Sequence, residues 1–244
     1  MCGIAGFCLN KNEHFDARDI SMALLEQIIA RGEDATGAAW VQAGAAKGER
    51  PKIAVSKAPV PAYDFDPYLK AMPKNTGRVI LHTRYATKGT PDNNLNNHPI
   101  VVGRVVGVHN GVLSNDDAIF EHLEAERKAQ VDSEAAFALL NVSKYPPANV
   151  LKSLQGRAAL AWLDGRDKRD LHLARVSGSP LAIGSTPKGS LFFASTMNLL
   201  VAACADAKVP LKWVEEIDEM TYMRIRNGEI YDLQTIGESL KEIA

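Results

Sequence analysis

A cysteine stands directly behind the initiator methionine, in the stretch MCGIAGF. Removal of Met1 makes Cys2 the chain terminus and places a free α-amine on the residue that carries the thiol. Such an amine titrates at about pKa 8. It can therefore take the thiol proton at neutral pH, directly or through one water, which is nucleophile activation with a terminal amine as base. The competing reading is a buried cysteine in a first strand. Taken alone, Met-Cys favours that reading, because most buried cysteines are structural.

Three other stretches carry groups with chemical use. In LHTRYATKG (81–89) an apolar run ends in Arg84 and enters a glycine-containing loop. An arginine there can grip a carboxylate in a bidentate fork, or it can be an exposed loop arginine. In VHNGV (108–112) an apolar strand is expected to stop at Asn110-Gly111. A side-chain amide beside a glycine N–H can form an oxyanion hole, while the same dipeptide favours a type I′ hairpin turn. Asn227-Gly228 lies between two strand-like runs with no polar loop nearby and reads as a turn. In QVDSE (130–134) Asp132 reads as a helix N-cap with Glu134 favourable to the helix dipole, or as an acid that receives a substrate ammonium. Each stretch alone favours its structural reading.

The elements that position these residues follow from periodicity. Residues 3–9 read as a buried strand. Residues 16–30 place Ile20, Ala23, Leu24, Ile28 and Ile29 on one helical face, with Asp16 as cap and Gly32 as terminator. Strands are expected at 36–41, 52–57, 78–84 and, as one run, 100–109. Between the last two, YATKGTPDNNLNNHP is a long polar loop, and such a loop in a compact domain is often functional. Helices are expected at 116–128, 132–141 and 147–154. Strands are expected at 157–164, 170–176, 180–185 and 191–195, with a short helix TMNLLVAAC after them. LKWVEEI and TYMRIRNGEIYDL close the chain. The cluster from Arg166 to Asp170 reads as a solvated hairpin turn. Strands at both ends with helices between predict an α+β fold, mostly antiparallel.

Composition narrows the function classes. The chain has 244 residues, 46% of them apolar, which fits one large domain or two small ones. Lysine and arginine number 28 against 29 acids, a formal net charge of -1, so no electrostatic case exists for a nucleic-acid or membrane partner. Three cysteines give neither a disulfide framework nor a metal-binding spacing. No signal peptide is read at the start, and no run reaches the roughly 18 apolar residues of a membrane span. A cytoplasmic protein is expected.

In combination the motifs are specific. MCGIAGF, RGEDATG (31–37), HTRYATKG (82–89), NNHP (96–99), VHNGVL (108–113) and DSE (132–134), in that order, resemble the class II glutamine amidotransferase domain. This is the N-terminal-nucleophile glutaminase domain of glucosamine-6-phosphate synthase and glutamine phosphoribosylpyrophosphate amidotransferase. GRAALAWLD, ARVSGSPLAIG and FFASTMNLL extend the resemblance over nearly the whole chain.

The resemblance implies a four-layer αββα sandwich of two antiparallel sheets, spanning 1–244 as a single domain without a fused synthase. It implies that Cys2 is the nucleophile and its α-amine the base, and that Asn110 and Gly111 form the oxyanion hole. Arg84, with Thr87 close by, matches the site for the glutamine α-carboxylate, and Asp132 the site for its α-ammonium. His98 matches a supporting histidine of the loop beside the site. Gly32, Asp34 and Gly37 match a structural motif near it. Lys88 stands where the synthase has histidine, and Tyr85 where it has tryptophan.

The implied reaction is hydrolysis of the L-glutamine side-chain amide through a γ-glutamyl thioester on Cys2. No metal or organic cofactor is needed, and the ammonia is expected to serve a separate acceptor synthase. Two alternatives remain open at this point. One is an amide hydrolase acting on another γ-glutamyl compound or small amide. The other is a non-catalytic regulatory module that keeps the fold.

Overall fold

The structure is a computed structural model, and it describes residues 1–42 and 52–237. The chain runs β1 (Gly3–Cys8), α1 (Ala17–Ile28), β2 (Ala35–Gln42), β3 (Lys52–Ala58), α2 (Asp66–Leu69) and β4 (Arg78–Arg84). Then come β5 (Ile100–Val102), β6 (Val105–Leu113), α3 (Asp116–His122), α4 (Ser133–Val142) and α5 (Pro147–Leu151). The remainder is β7 (Gly156–Asp164), β8 (Asp167–Ser177), β9 (Ala182–Ser185), β10 (Leu191–Ala194), α6 (Met197–Asp206), β11 (Trp213–Glu216), β12 (Thr221–Arg226) and β13 (Glu229–Thr235).

Among the described residues these strands form two sheets. The first has the order β11-β9-β10-β1-β4-β2-β3 and the second β13-β12-β8-β7-β6-β5. Every pairing within them is antiparallel. The two-residue period of a strand sends alternate side chains to opposite faces, and the core divides accordingly. Ala5, Phe7, Val79, Leu81 and Phe192 face α1 and α6 on the outside of the first sheet. Ala158, Leu160, Trp162 and Tyr222 face α4 and α5 on the outside of the second. Ile4, Ile80, Val106, Val108, Ala159, Ala161, Leu173 and Phe193 fill the space between the sheets. Three apolar interfaces thus separate four layers, helix, sheet, sheet, helix, as the αββα expectation required.

The first helix keeps its expected signals. Asp16 accepts from the Arg18 N–H at 3.0 Å, and after Ile28 one 3₁₀ turn, Ile29–Arg31, leads to Gly32. Asn227, at φ 51°, makes the β12–β13 turn.

Several expectations need correction. The run 100–109 is two strands, β5 and β6, paired across a turn at Gly103-Arg104. A continuous apolar stretch hides such a turn because both strands have buried positions. The helix expected over 116–128 ends at His122, and that expected over 147–154 ends at Leu151. The cluster at 166–170 is not a solvated turn throughout. Only Gly165 and Arg166 turn the chain. Asp170 is fully buried in β8, where Arg224 and Arg226 from β12 pair with it at 2.6 and 2.7 Å. Its partners lie more than fifty residues away in sequence, so the local charge pattern reads as surface.

Candidate active site

Strand parity collects the candidate residues. Cys2 shares its parity with Ile4, Arg84 with Ile80, and Asn110 with Val108, and all three reference residues point between the sheets. The pairing of Gly3 with Thr83 sets Cys2 beside the end of β4. There the Tyr85 N–H meets the Cys2 sulfur at 3.4 Å, and the thiol faces the Tyr85 carbonyl at 3.5 Å. Burial pushes the Cys2 thiol above its ordinary pKa. The Tyr85 amide, the terminal amine, Arg84 and Arg31 all act to lower it, without outweighing burial. Arg31 Nε donates to the Cys2 carbonyl at 2.7 Å and pins the backbone of the candidate nucleophile. The Met1 side chain is exposed.

Arg84 is almost wholly buried. Nη1 donates to Asn97 Oδ1 at 2.8 Å, and Nη2 donates to the Lys88 and Gly89 carbonyls at 2.7 Å each. The guanidinium therefore organises the loop that follows it. That loop, residues 85–99, contains neither helix nor strand, as its composition predicted. It is fastened elsewhere too. Asp34 Oδ2 accepts from the Ala86 N–H at 2.6 Å. Lys88 reaches Asp116 at 3.0 Å, and Asn96 exchanges hydrogen bonds with Gln130. Lys57 donates to the Asn97 and Pro99 carbonyls, and burial lowers its pKa to about 8. Thr87 and Tyr85 are exposed on the loop.

His98 is buried, and its ring stacks on that of His82 with centroids 4.1 Å apart. Burial pushes His82 down to about 3 and His98 well below its usual value, so both rings are neutral. The His98 carbonyl also explains Gly37: a Cβ there would meet this oxygen at 2.0 Å.

Asn110-Gly111 is not a turn, and β6 does not stop there. The strand pairs with β7 without interruption to Leu113. Gly111 has φ +149°, and a Cβ on it would meet the Arg157 carbonyl oxygen at 1.9 Å. The dipeptide thus serves a distorted strand interior that only glycine can adopt. Asn110 is buried, with Nδ2 3.5 Å from Ser195 Oγ.

Asp132 occupies the N-cap position of α4 but makes no side-chain cap. Its Oδ2 instead accepts from the Leu113 N–H at 2.6 Å, which joins it to the end of β6. Glu134 is buried, and its carboxylate accepts from the amides of Lys128 and Ala129. It orders the preceding loop in addition to its place in the helix's first turn.

Reasoning from sequence missed Arg31, Asn97 and Ser195 as parts of this region. Arg31 and Asn97 lie inside quoted motifs, where a polar residue next to an expected site residue was the available signal. A cavity of about 480 Å³ lies apart from these groups, lined by Trp162, His172, Tyr222 and Arg224 among others, and neither Cys2 nor Arg84 borders it.

Two facing antiparallel sheets between helical layers are the fold of the N-terminal-nucleophile hydrolases. Two solved structures share the fold. One is glutamine phosphoribosylpyrophosphate amidotransferase from B. subtilis, with a TM-score of 0.75 and 20% identity over 98% of this chain and 50% of that one. The other is described as the allosteric regulatory enzyme of purine biosynthesis, with a TM-score of 0.78 and 19% identity over the same shares.

Residues 82–202 match a family described as "Glutamine amidotransferase domain". Glutamine–fructose-6-phosphate aminotransferase (isomerizing) of Helicobacter pylori is 30% identical over 82% of this chain and 33% of its own length. The protein of that name from Escherichia coli K12 is 31% identical over 82% of this chain and 32% of its own. That from Pyrococcus horikoshii is 31% identical over 83% and 33%. The chain spans about a third of the length of these relatives. It carries a class II glutamine amidotransferase domain. Among the described residues no helix is long and apolar enough to cross a membrane.

Proposed function

We propose that this domain hydrolyses the side-chain amide of L-glutamine to glutamate and ammonia, with Cys2 as nucleophile, and delivers the ammonia to an acceptor enzyme. The observation that carries the reading is that Cys2 adjoins the end of β4 that carries Arg84, while Asn110 contacts Ser195, which holds Ile4 two residues beyond Cys2.

In this reading Met1 is removed and the α-amine of Cys2 accepts the thiol proton. The thiolate attacks the amide carbon of glutamine. Charge gathers on the amide oxygen, where Asn110 Nδ2 and the Gly111 N–H donate to it; loss of one such donor typically costs about 10²–10³ in rate. The ammonium of Cys2 protonates the amide nitrogen, which leaves as ammonia, and water then cleaves the thioester to glutamate. Arg84 meets the α-carboxylate and Asp132 the α-ammonium. Thr87 lines the loop beside them, and His98 supports that loop from beneath. The relatives named above are aminotransferases that use glutamine by name, which supports ammonia transfer to an acceptor as the purpose.

The test is intact-mass spectrometry before and after an electrophilic glutamine analogue, with glutamate release measured in parallel. The expected result is a mass lacking Met1, one adduct on Cys2 that glutamine blocks, and turnover that Cys2→Ser abolishes. Retained Met1, or faster turnover of a γ-glutamyl peptide than of glutamine, overturns the reading.

A further inference from the structure

Ser195 lies where the strand of the candidate nucleophile meets the strand of the candidate oxyanion donor. It follows β10 and precedes Thr196, whose side chain caps α6 by accepting from the Leu199 N–H. At this point the chain leaves the sheet, so β10 cannot continue its ladder with β1. The Ser195 N–H still donates to the Ile4 carbonyl at 2.9 Å. The Ile4 N–H, however, donates to the Ser195 hydroxyl at 2.9 Å, in place of a strand carbonyl. That hydroxyl is fully buried, its proton faces the Ile4 carbonyl at 3.3 Å, and Asn110 Nδ2 lies 3.5 Å from the same oxygen.

A hydroxyl has one proton to donate and two lone pairs to accept with. Here the proton is directed to the Ile4 carbonyl and one lone pair receives the Ile4 N–H. With its proton on the Ile4 carbonyl, the oxygen keeps a lone pair that can accept from Asn110. An asparagine amide has nearly the same shape when turned by half a revolution, so its neighbours decide which end carries the NH₂. The contact is long, at 3.5 Å.

We infer that Ser195 is a positioning residue: it holds the Asn110 amide in the orientation that presents N–H donors, and ties that amide to the backbone two residues beyond Cys2. The flipped amide would turn its carbonyl oxygen toward the developing negative charge and repel it. The catalytic consequence rests on the glutaminase reading above; the orientation of the amide does not.

Two measurements on the full chain test this. The first follows hydrogen exchange of the Asn110 side-chain amide by ¹H–¹⁵N NMR, with no substrate present. Slow exchange is expected in the wild type, at least tenfold faster exchange in Ser195→Ala, and an intermediate value in Ser195→Cys, which keeps the shape but accepts weakly. The second measures glutamine hydrolysis. Ser195→Ala is expected to lower kcat about tenfold, less than outright loss of an oxyanion donor, with KM within about twofold of wild type. In an Asn110→Ala background the same change should have almost no further effect on kcat, since coupled residues are not additive. Ser195→Cys keeps the test open if the alanine variant does not fold. Unchanged exchange and kcat in the variants overturn the inference. So does an equal kcat loss with and without Asn110, which would mark Ser195 as support for β1 alone. Absence of glutamine turnover in processed wild type would sink the glutaminase reading, and the exchange measurement would still decide the role of Ser195.

Discussion

At the scale of single residues, the region depends on positions where one atom decides. Gly111 is the clearest. Its φ of +149° lies where a side chain is strained, and an added Cβ would be driven into the Arg157 carbonyl of the neighbouring strand. Backbone strain of this kind costs about 1–3 kcal/mol and overpacking a similar amount. Gly111→Ala should therefore lower stability by about 3 kcal/mol or more in urea unfolding, with loss of glutamine turnover. A midpoint equal to that of wild type would show that β6 can relax, and that glycine is not required there for conformational reasons. Asp132 belongs to the same scale. Its carboxylate receives a strand amide where the sequence suggested a helix cap, and this bond fixes where its second oxygen can face.

At the scale of elements, the loop 85–99 matters most. It has no regular structure, and polar groups arriving from four directions hold it: Arg84 from β4, Lys57 from β3, Asp34 from the start of β2, and Gln130 ahead of α4. Asn97 is its hub. It is fully buried, accepts from Arg84, and donates to the Pro91 carbonyl and Asn94 Oδ1. Asn97→Ala leaves a guanidinium N–H and loop carbonyls unpaired, at a cost of about 1–3 kcal/mol for each group kept from water. If Arg84 reads the glutamine carboxylate, KM should rise at least tenfold while alkylation of Cys2 by a small uncharged reagent changes little. Equal KM in the two proteins would separate the loop from substrate binding. Lys88–Asp116 is a weaker tether, because the lysine side chain is half exposed and exposed pairs contribute about 0–1 kcal/mol.

At the scale of the whole molecule, the acid limb of stability is set by buried titratable groups. His82 and His172 are buried, and burial pushes them down to about 3 and about 4. An unfolded histidine takes its proton at about pH 6.5. Below that pH the unfolded state binds protons that the folded state does not, so stability falls as pH drops toward the folded values. Each such histidine contributes a slope of about 1.4 kcal/mol per pH unit. Asp170 acts in a lower window. Burial opposes its ionisation, but hydrogen bonds from Arg226, Tyr231 and Arg224 hold its carboxyl well below the usual range. Its contribution is present above the unfolded carboxyl value of about 3.9 and is lost as pH falls below it. Denaturation midpoints should thus fall from about pH 6.5 downward, with Asp170 taking over from His172 as a source of the slope below about pH 4. His172→Gln should reduce the slope between pH 6 and 5, and an unchanged slope would remove His172 from the account.

The sequence by itself determined the alternation of strand faces, the capped first helix, the polar loop and the identities of the residues with chemical use. These depend on neighbours within a few positions, where the period of a strand or helix and the preferences of caps and turns act directly. Only the tertiary structure decided what those residues do with their polar atoms. Asn110-Gly111 is a turn by local preference and a distorted strand interior in the fold, because β7 lies alongside it. Asp170 belongs to a surface charge run by local pattern and to a buried network in the fold, because β12 supplies its arginines. Ser195 looks like an ordinary residue before a helix and gains its role from Ile4, 191 positions away. Hydrogen bonds are short and directional, so a chain that brings distant segments within 3 Å of each other creates partnerships that no local pattern in its sequence records.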